Sequence, residues 1–188
     1  MVPAHGEPVA RPGYRTRPIL TGVNFRIEER VTASADAAAH ALVDPRFVAA
    51  TAELPKVGGA ELLDQQSDGN RVRQRIRYRF TGELSSAVTA VVDRDRLTWV
   101  DEADHDLTTF RSEHRILPDH YADRLQATYA TELAPDCDAH RSRMVVTGMV
   151  KVRMPLVGGR VERAIVSGLE EHAAAEAQLL GDWLGRPA

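Results

Sequence analysis

Arginine stands at every second position of "RVRQRIRYRF" (71–80): Arg71, Arg73, Arg75, Arg77 and Arg79. Val72, Gln74, Ile76, Tyr78 and Phe80 lie between them. A period of two sends alternate side chains to opposite faces, so the stretch is a strand with an arginine face and a largely apolar face. The apolar face has to be covered. The rest of the chain is therefore read for other strands that extend the sheet and for one element large enough to cover it.

The same alternation runs through "VNFRIEERV" (23–31), where Val23, Phe25 and Ile27 alternate with Asn24, Arg26 and Glu28. "VGGAELLDQQS" (57–67) joins the arginine strand through "DGN", a hairpin signal. Four more segments alternate: "RLTWVDEAD" (96–104), "LTTFRSEHRIL" (107–117), "DRLQATYATEL" (123–133) and "RSRMVVTGMVKVRM" (141–154). The turn-rich stretches "ADHD", "PDHYA" and "APDCDAH" separate them. That makes seven strands.

Three segments have another character. In "TASADAAAHALVDPRFVAATAEL" (32–54) Ser34 is an N-cap, alanines follow, and Pro45 opens a second short helix after Asp44. "TGELSSAVTAVVDRD" (81–95) breaks the strand pattern with a short helix over 85–92. In "PLVGGRVERAIVSGLEEHAAAEAQLLGDWL" (155–184) Val161, Ile165, Leu169, Leu180 and Trp183 recur at helical spacing. Arg163, Ser167, Glu170, Glu171, Gln178 and Asp182 fall on the opposite side. From Gly159 this helix would span about 38 Å, roughly 25 residues at 1.5 Å each. Gly158 and Gly159 are expected at positive φ, allowing the sharp turn from strand to helix.

One strand, two short helices, six strands and one long helix describe an α+β chain. Sequential antiparallel strands form a curved seven-stranded sheet, and only the C-terminal helix is large enough to cover it. The expected architecture is a helix-grip, with residues 23–188 as one domain. Residues 1–22, with Pro3, Pro8, Pro12 and Pro18, are expected to form a disordered or loosely attached arm.

Charge and cysteine content narrow the function classes. The net charge of -3 gives no bulk attraction to nucleic acid or anionic lipid. Cys137 is the single cysteine, so no intramolecular disulfide can form, and a reducing cytoplasm is expected. No apolar run approaches the ~20 residues of a membrane span, so no stable membrane insertion is expected.

The element order resembles the START-like superfamily (SRPBCC), which includes the birch-pollen allergen type, polyketide cyclases and lipid-transfer domains. "VNFRIEERV", the strands around "DGN" and "VKVRMPLVGGRVERAI" resemble an actinobacterial family of START-like proteins of unknown function. "KVRMPLVGGRVE" (151–162) is the most specific part, and the resemblance covers residues 23–184. It implies a space between sheet and helix that commonly takes hydrophobic small molecules. It implies no particular reaction, because the superfamily hosts binders, carriers and enzymes alike.

Parity places the five arginines on the outer face, near Glu61, Asp64, Glu102, Asp104 and Glu113. They read as a solvated face rather than a nucleic-acid site, since the aromatics lie on the other side. The inner face should carry Phe25, Ile27, Gln74, Ile76, Tyr78, Trp99, Phe110, Ser112, His114, Ala127, Tyr129, Val146 and Val150. The helix adds Ile165 and the i, i+4 pair His172 and Glu176. Apolar walls with a few polar anchors are the make-up of a ligand pocket; a filled core is the alternative. His105, His120, His140, Cys137 and the acids of "DEADHD", "DHYAD" and "DCDAH" lack zinc-type spacing and are assigned to hairpin turns. Cys137 between Asp136 and Asp138 is in an acidic setting that does not suit a nucleophile.

The expectation is a cofactor-free binder, or carrier, of a hydrophobic or amphipathic small molecule. Two alternatives remain open. One is a cyclase or dehydratase using His172, Glu176, Tyr78 or His114 as acid and base. The other is a protein-interaction module with a filled core, using the arginine face or the N-terminal arm. Sequence sets neither ligand identity nor oligomeric state.

Overall fold

The computed structural model describes residues 22–84, 86–90 and 92–185. The expected N-terminal arm lies outside these, apart from Gly22. The strands are β1 (Val23–Val31), β2 (Val57–Asp68), β3 (Arg71–Phe80), β4 (Thr98–Asp106), β5 (Arg111–Pro118), β6 (Leu125–Pro135) and β7 (Ser142–Val152). They form one antiparallel sheet in the order β1-β7-β6-β5-β4-β3-β2. The helices are α1 (Ala35–Leu42), α2 (Pro45–Ala50), α3 (Ser86–Thr89) and α4 (Gly158–Leu184). The chain is a helix-grip of seven strands around a long C-terminal helix.

Local chemistry sets the helix starts. The Ser34 hydroxyl accepts from the Ala37 N–H and caps α1. The Asp44 carboxylate accepts from the Arg46 N–H, and Pro45 supplies the first turn of α2. Within α3, the described part is shorter than the expected 85–92 segment.

The arginine strand behaves as its period demands. All five arginines are exposed, while Val72, Gln74 and Ile76 are buried. Arg71, Arg73 and Arg75 pair across the ladder with Asp106, Asp104 and Glu102, and Arg77 reaches Asp119. The expected partners Glu61 and Asp64 make no ion pair with these arginines among the described residues. Register puts Glu61 opposite Arg77 and Asp64 opposite Arg75, each directly after an irregularity in β2, at Gly58/Glu61 and Leu62/Asp64. Glu113 pairs with Arg111 instead.

Two boundaries differ from the sequence pattern. β4 runs on through His105 and Asp106, so "ADHD" is strand, and the turn is 107–110. The Asp106 carboxylate accepts from the N–H groups of Thr109 and Thr108, which holds its pKa below the usual range and closes the turn. Phe110 sits in that turn with φ 55, not on a strand.

At the β7–α4 junction neither Gly158 nor Gly159 has a positive φ; the left-handed residue is Leu156, with φ 67. Gly158 is required for space: a Cβ there would lie 2.6 Å from the Val152 carbonyl oxygen. Buried Glu162 completes the junction by accepting the Val152 N–H at 2.8 Å.

The close-packed core sits at one end, where Ala173, Ala177 and Leu180 of α4 meet α1, Phe47, Ile27, Val31, Leu133 and Met144. Along its length α4 packs chiefly on β1 and β7.

Candidate functional site

Register aligns the inward residues into rows across the sheet. One row runs Phe25, Gly148, Tyr129, His114, Ala103, Gln74 and Gln65. The adjacent row carries Val150, Ala127, Ile116, Asp101 and Ile76, with Tyr78 and Trp99 paired beyond it. A Cβ at Gly148 would lie 2.7 Å from the Phe25 ring and 2.6 Å from Tyr129 Cβ, so glycine lets both side chains lie against the sheet.

Where the two rows meet, a polar network forms. Tyr129 donates its hydroxyl proton to Asp101 Oδ2 at 2.6 Å. His114 Nδ1 lies 3.1 Å from the same oxygen, and its Nε2 lies 3.1 Å from Ser112 Oγ. The His114 and Tyr129 rings are stacked, with centroids 4.1 Å apart and planes 10° from parallel. Asp101 is 6% exposed, so both donors stabilise a carboxylate largely withdrawn from water.

Burial pushes the Tyr129 hydroxyl pKa well above its ordinary value, and the nearby Asp101 charge adds to the rise. Tyr78 is raised by burial, then by Asp101 and Glu176, while a hydrogen bond with Thr51 opposes the rise. Both tyrosines are therefore held as hydroxyl donors. His105, edge-on to His114 at 5.6 Å, is pushed down to about 4 by burial and then by His114.

Of the expected residues, Phe25, Gln74, Ile76, Tyr78, Trp99, Ser112, His114, Tyr129, Val146 and Val150 lie on the concave face, as do Ile27 and Ala127. Ile165, His172 and Glu176 are half-buried on α4. Glu176 acts electrostatically on Tyr78 and Tyr129, so its carboxylate shares their surroundings. His172 and Glu176 are not hydrogen-bonded to each other; His172 Nδ1 is buried without a partner among the described residues. Gln74 Oε1 and His105 Nε2 are in the same state.

Sequence reasoning missed Asp101 and His105 by assigning "DEADHD" to a turn. The signal was present: both share the parity of Trp99, which was read as inward. Among the described residues no three His, Cys, Asp or Glu side chains converge as a metal site would require.

A groove of about 900 Å³ lies away from the space between sheet and helix. It is open and lies on the outer face, lined by Arg73, Arg75, Glu102, Asp104, Arg111 and Arg115 among others. Its arginines pair with Glu102, Asp104 and Glu113, with Arg75 and Arg115 sharing Glu102. A void of about 10 Å³, room for roughly one water, lies inside near Ala39, Leu42, His105 and Phe110.

A family sequence profile described as "Protein of unknown function (DUF2505)" matches residues 26–184. The chain belongs to this family. No curated protein matches it by sequence. Among solved structures, the chain shares its fold with truncated norcoclaurine synthase from Thalictrum flavum, at TM-score 0.61 and 16% identity over 89% of this chain and 96% of that one. The Zhui aromatase/cyclase from Streptomyces sp. R1128 aligns at TM-score 0.60 and 17% identity, covering 86% and 92%. A START superfamily protein from Mycobacterium smegmatis aligns at TM-score 0.52 and 15% identity, covering 85% and 95%. At these identities the likeness establishes the START-like fold. Among the described residues no helix is long and apolar enough to cross a membrane.

Proposed function

We propose that the space between the concave face and the first half of α4 binds a hydrophobic or amphipathic small molecule. One observation carries this reading. Tyr78, Trp99, His114 and Tyr129 on the sheet, and Ile165 and His172 on the helix, are directed inward yet keep accessible surface. Side chains that lie deep and remain accessible line a space rather than fill a core. Their chemistry is that of a binding pocket: aromatic and aliphatic walls with a few polar groups that orient the occupant. Tyr129, Asp101 and His114 supply those groups. The neighbours named as a cyclase and a synthase support this reading.

The test is titration of purified protein with the neutral apolar dye Nile red, alongside native mass spectrometry. Saturable 1:1 dye binding, weakened at least fivefold by Trp99→Ala with unchanged circular dichroism, supports the reading. A protein that neither binds the dye nor retains any small molecule would contradict it.

The Tyr129–Asp101–His114 network favours a second reading, an enzyme of the cyclase or dehydratase kind. A carboxylate shared by a hydroxyl and an imidazole can hold a proton close to a bound carbonyl or hydroxyl group. In that case Asp101→Asn lowers turnover far more than it lowers affinity. We propose residues 23–188 as the domain that performs either role, in a reducing cytoplasm compatible with the lone cysteine.

A further inference from the structure

The polar groups of the concave face are unequal in sign. Among the described residues, no lysine or arginine occupies an inward position on any of the seven strands, and β2 contains neither residue at all. The inward stripe of α4, through Val161, Ile165, Gly168, His172 and Glu176, has none either. Carboxylates are present on both walls: Asp101 on the sheet and Glu176 on the helix.

The two acids differ in how they are satisfied. Asp101 has Tyr129 and His114 as donors. Glu176 is half-buried, and among the described residues its carboxylate has no hydrogen bond and no ion pair. Lys56, which reaches across to α4, is held by Glu171 at 3.2 Å on the helix's exposed side. The Glu176 oxygens are not among the buried unpartnered atoms, so an incoming cation can reach a carboxylate that has no other charge partner. Phe25, Tyr78, Trp99 and Tyr129 supply π faces, which also favour positive charge.

We propose that the occupant of this space is a hydrophobic amine, bound as its ammonium form, with Glu176 as the counter-ion and Asp101 as the second anionic wall. The proposal rests on the binding reading above and adds the ligand's charge. It excludes fatty-acid-like ligands, whose carboxylate would face two acids without a permanent cation to meet it.

Three probes of matched size separate the cases: 4-phenylbutylamine, 4-phenylbutanol and 4-phenylbutanoic acid, each competed against Nile red at constant ionic strength. The amine should displace the dye at least tenfold more tightly than the acid, with the alcohol between them. Glu176→Gln should reduce the amine's advantage over the alcohol at least fivefold and leave the alcohol's affinity nearly unchanged. Asp101→Asn should shift the preference in the same direction. Glu171→Gln, which alters an exposed carboxylate on the same helix, should leave the order intact. If the acid binds as tightly as the amine, or if Glu176→Gln leaves the amine's advantage whole, the amine proposal fails while the binding reading stands. If the dye binds and none of the probes displaces it, the amine proposal fails as well. If the dye itself does not bind, the amine proposal fails, and if native mass spectrometry also shows no retained small molecule the binding reading fails with it.

Discussion

The two halves of α4 are built differently, although one amphipathic pattern runs through both. In the C-terminal half Ala173, Ala177 and Leu180 are buried, Trp183 meets Phe47 edge-on at 5.7 Å, and a Cβ at Gly181 would strike the Thr32 hydroxyl at 2.2 Å. In the N-terminal half Val161, Ile165 and Leu169 are only half-buried, and a Cβ at Gly168 would meet nothing within 4 Å. The first half is anchored at its start, by Gly158 and Glu162 against Val152, and beyond that its inward side chains are only partly covered. One helix thus serves as core at one end and, on the binding reading, as the wall of the proposed chamber at the other. Stability and binding are assigned to different residues of a single element, so they can be altered separately.

The largest effect expected from that division is at Leu180, which is fully buried. Leu180→Ala should cost about 2–5 kcal/mol in urea denaturation, while Ile165→Ala should cost roughly half as much or less, because less surface returns to water. Equal costs would show that the two halves are packed alike.

At the anchor, Gly158→Ala should destabilise by about 1–3 kcal/mol through its contact with the Val152 carbonyl. Gly159→Ala, with only the Arg163 guanidinium near at 3.8 Å, should be neutral or stabilise by up to ~1 kcal/mol. The reverse order would mean that backbone geometry, not space, sets the glycine requirement.

Acidification sharpens the comparison through His105, which lies on β4 beside the polar network. Its folded pKa is about 4, against an ordinary 6.5, and Asp101 and Asp104 only partly offset the burial that lowers it. The folded state thus favours the neutral ring. Its contribution to stability is complete above pH 6.5 and falls as the pH drops from about 6.5 toward 4. His105→Gln should flatten the stability–pH curve in that window, with carboxylate titration unchanged in both proteins. Parallel curves for the two proteins would show that His105 does not titrate on unfolding.

The smallest effect on stability, and the sharpest on function, belongs to Gly168. Gly168→Leu should leave the folding free energy within about 1 kcal/mol, since helix propensity improves and space is available. Nile red binding should nevertheless fall several-fold as the side chain occupies the chamber. Unaltered dye binding would place the dye elsewhere.

Much of this was legible in the sequence because it depends on period alone. The arginine ladder, the seven strands, the caps at Ser34 and Asp44, and the phase that turns Ile165, His172 and Glu176 inward all follow from local spacing and side-chain chemistry. The turn at 107–110 was misplaced because "ADHD" looks like turn chemistry, and only Asp106 of that stretch acts as such.

What period alone could not supply was register. Alternation states that Trp99 faces inward, and by the same rule Asp101 and His105. It does not state that Asp101 will stand diagonally across from His114 and within 2.6 Å of a tyrosine on the next strand but one. That meeting depends on the pairing of β4 with β5 and of β5 with β6, which brings together residues 28 positions apart. The half-open fit of α4 is tertiary for the same reason. A helix phase selects the face that points toward the sheet. How closely that face approaches depends on what the sheet, α1 and the Val152 junction leave room for.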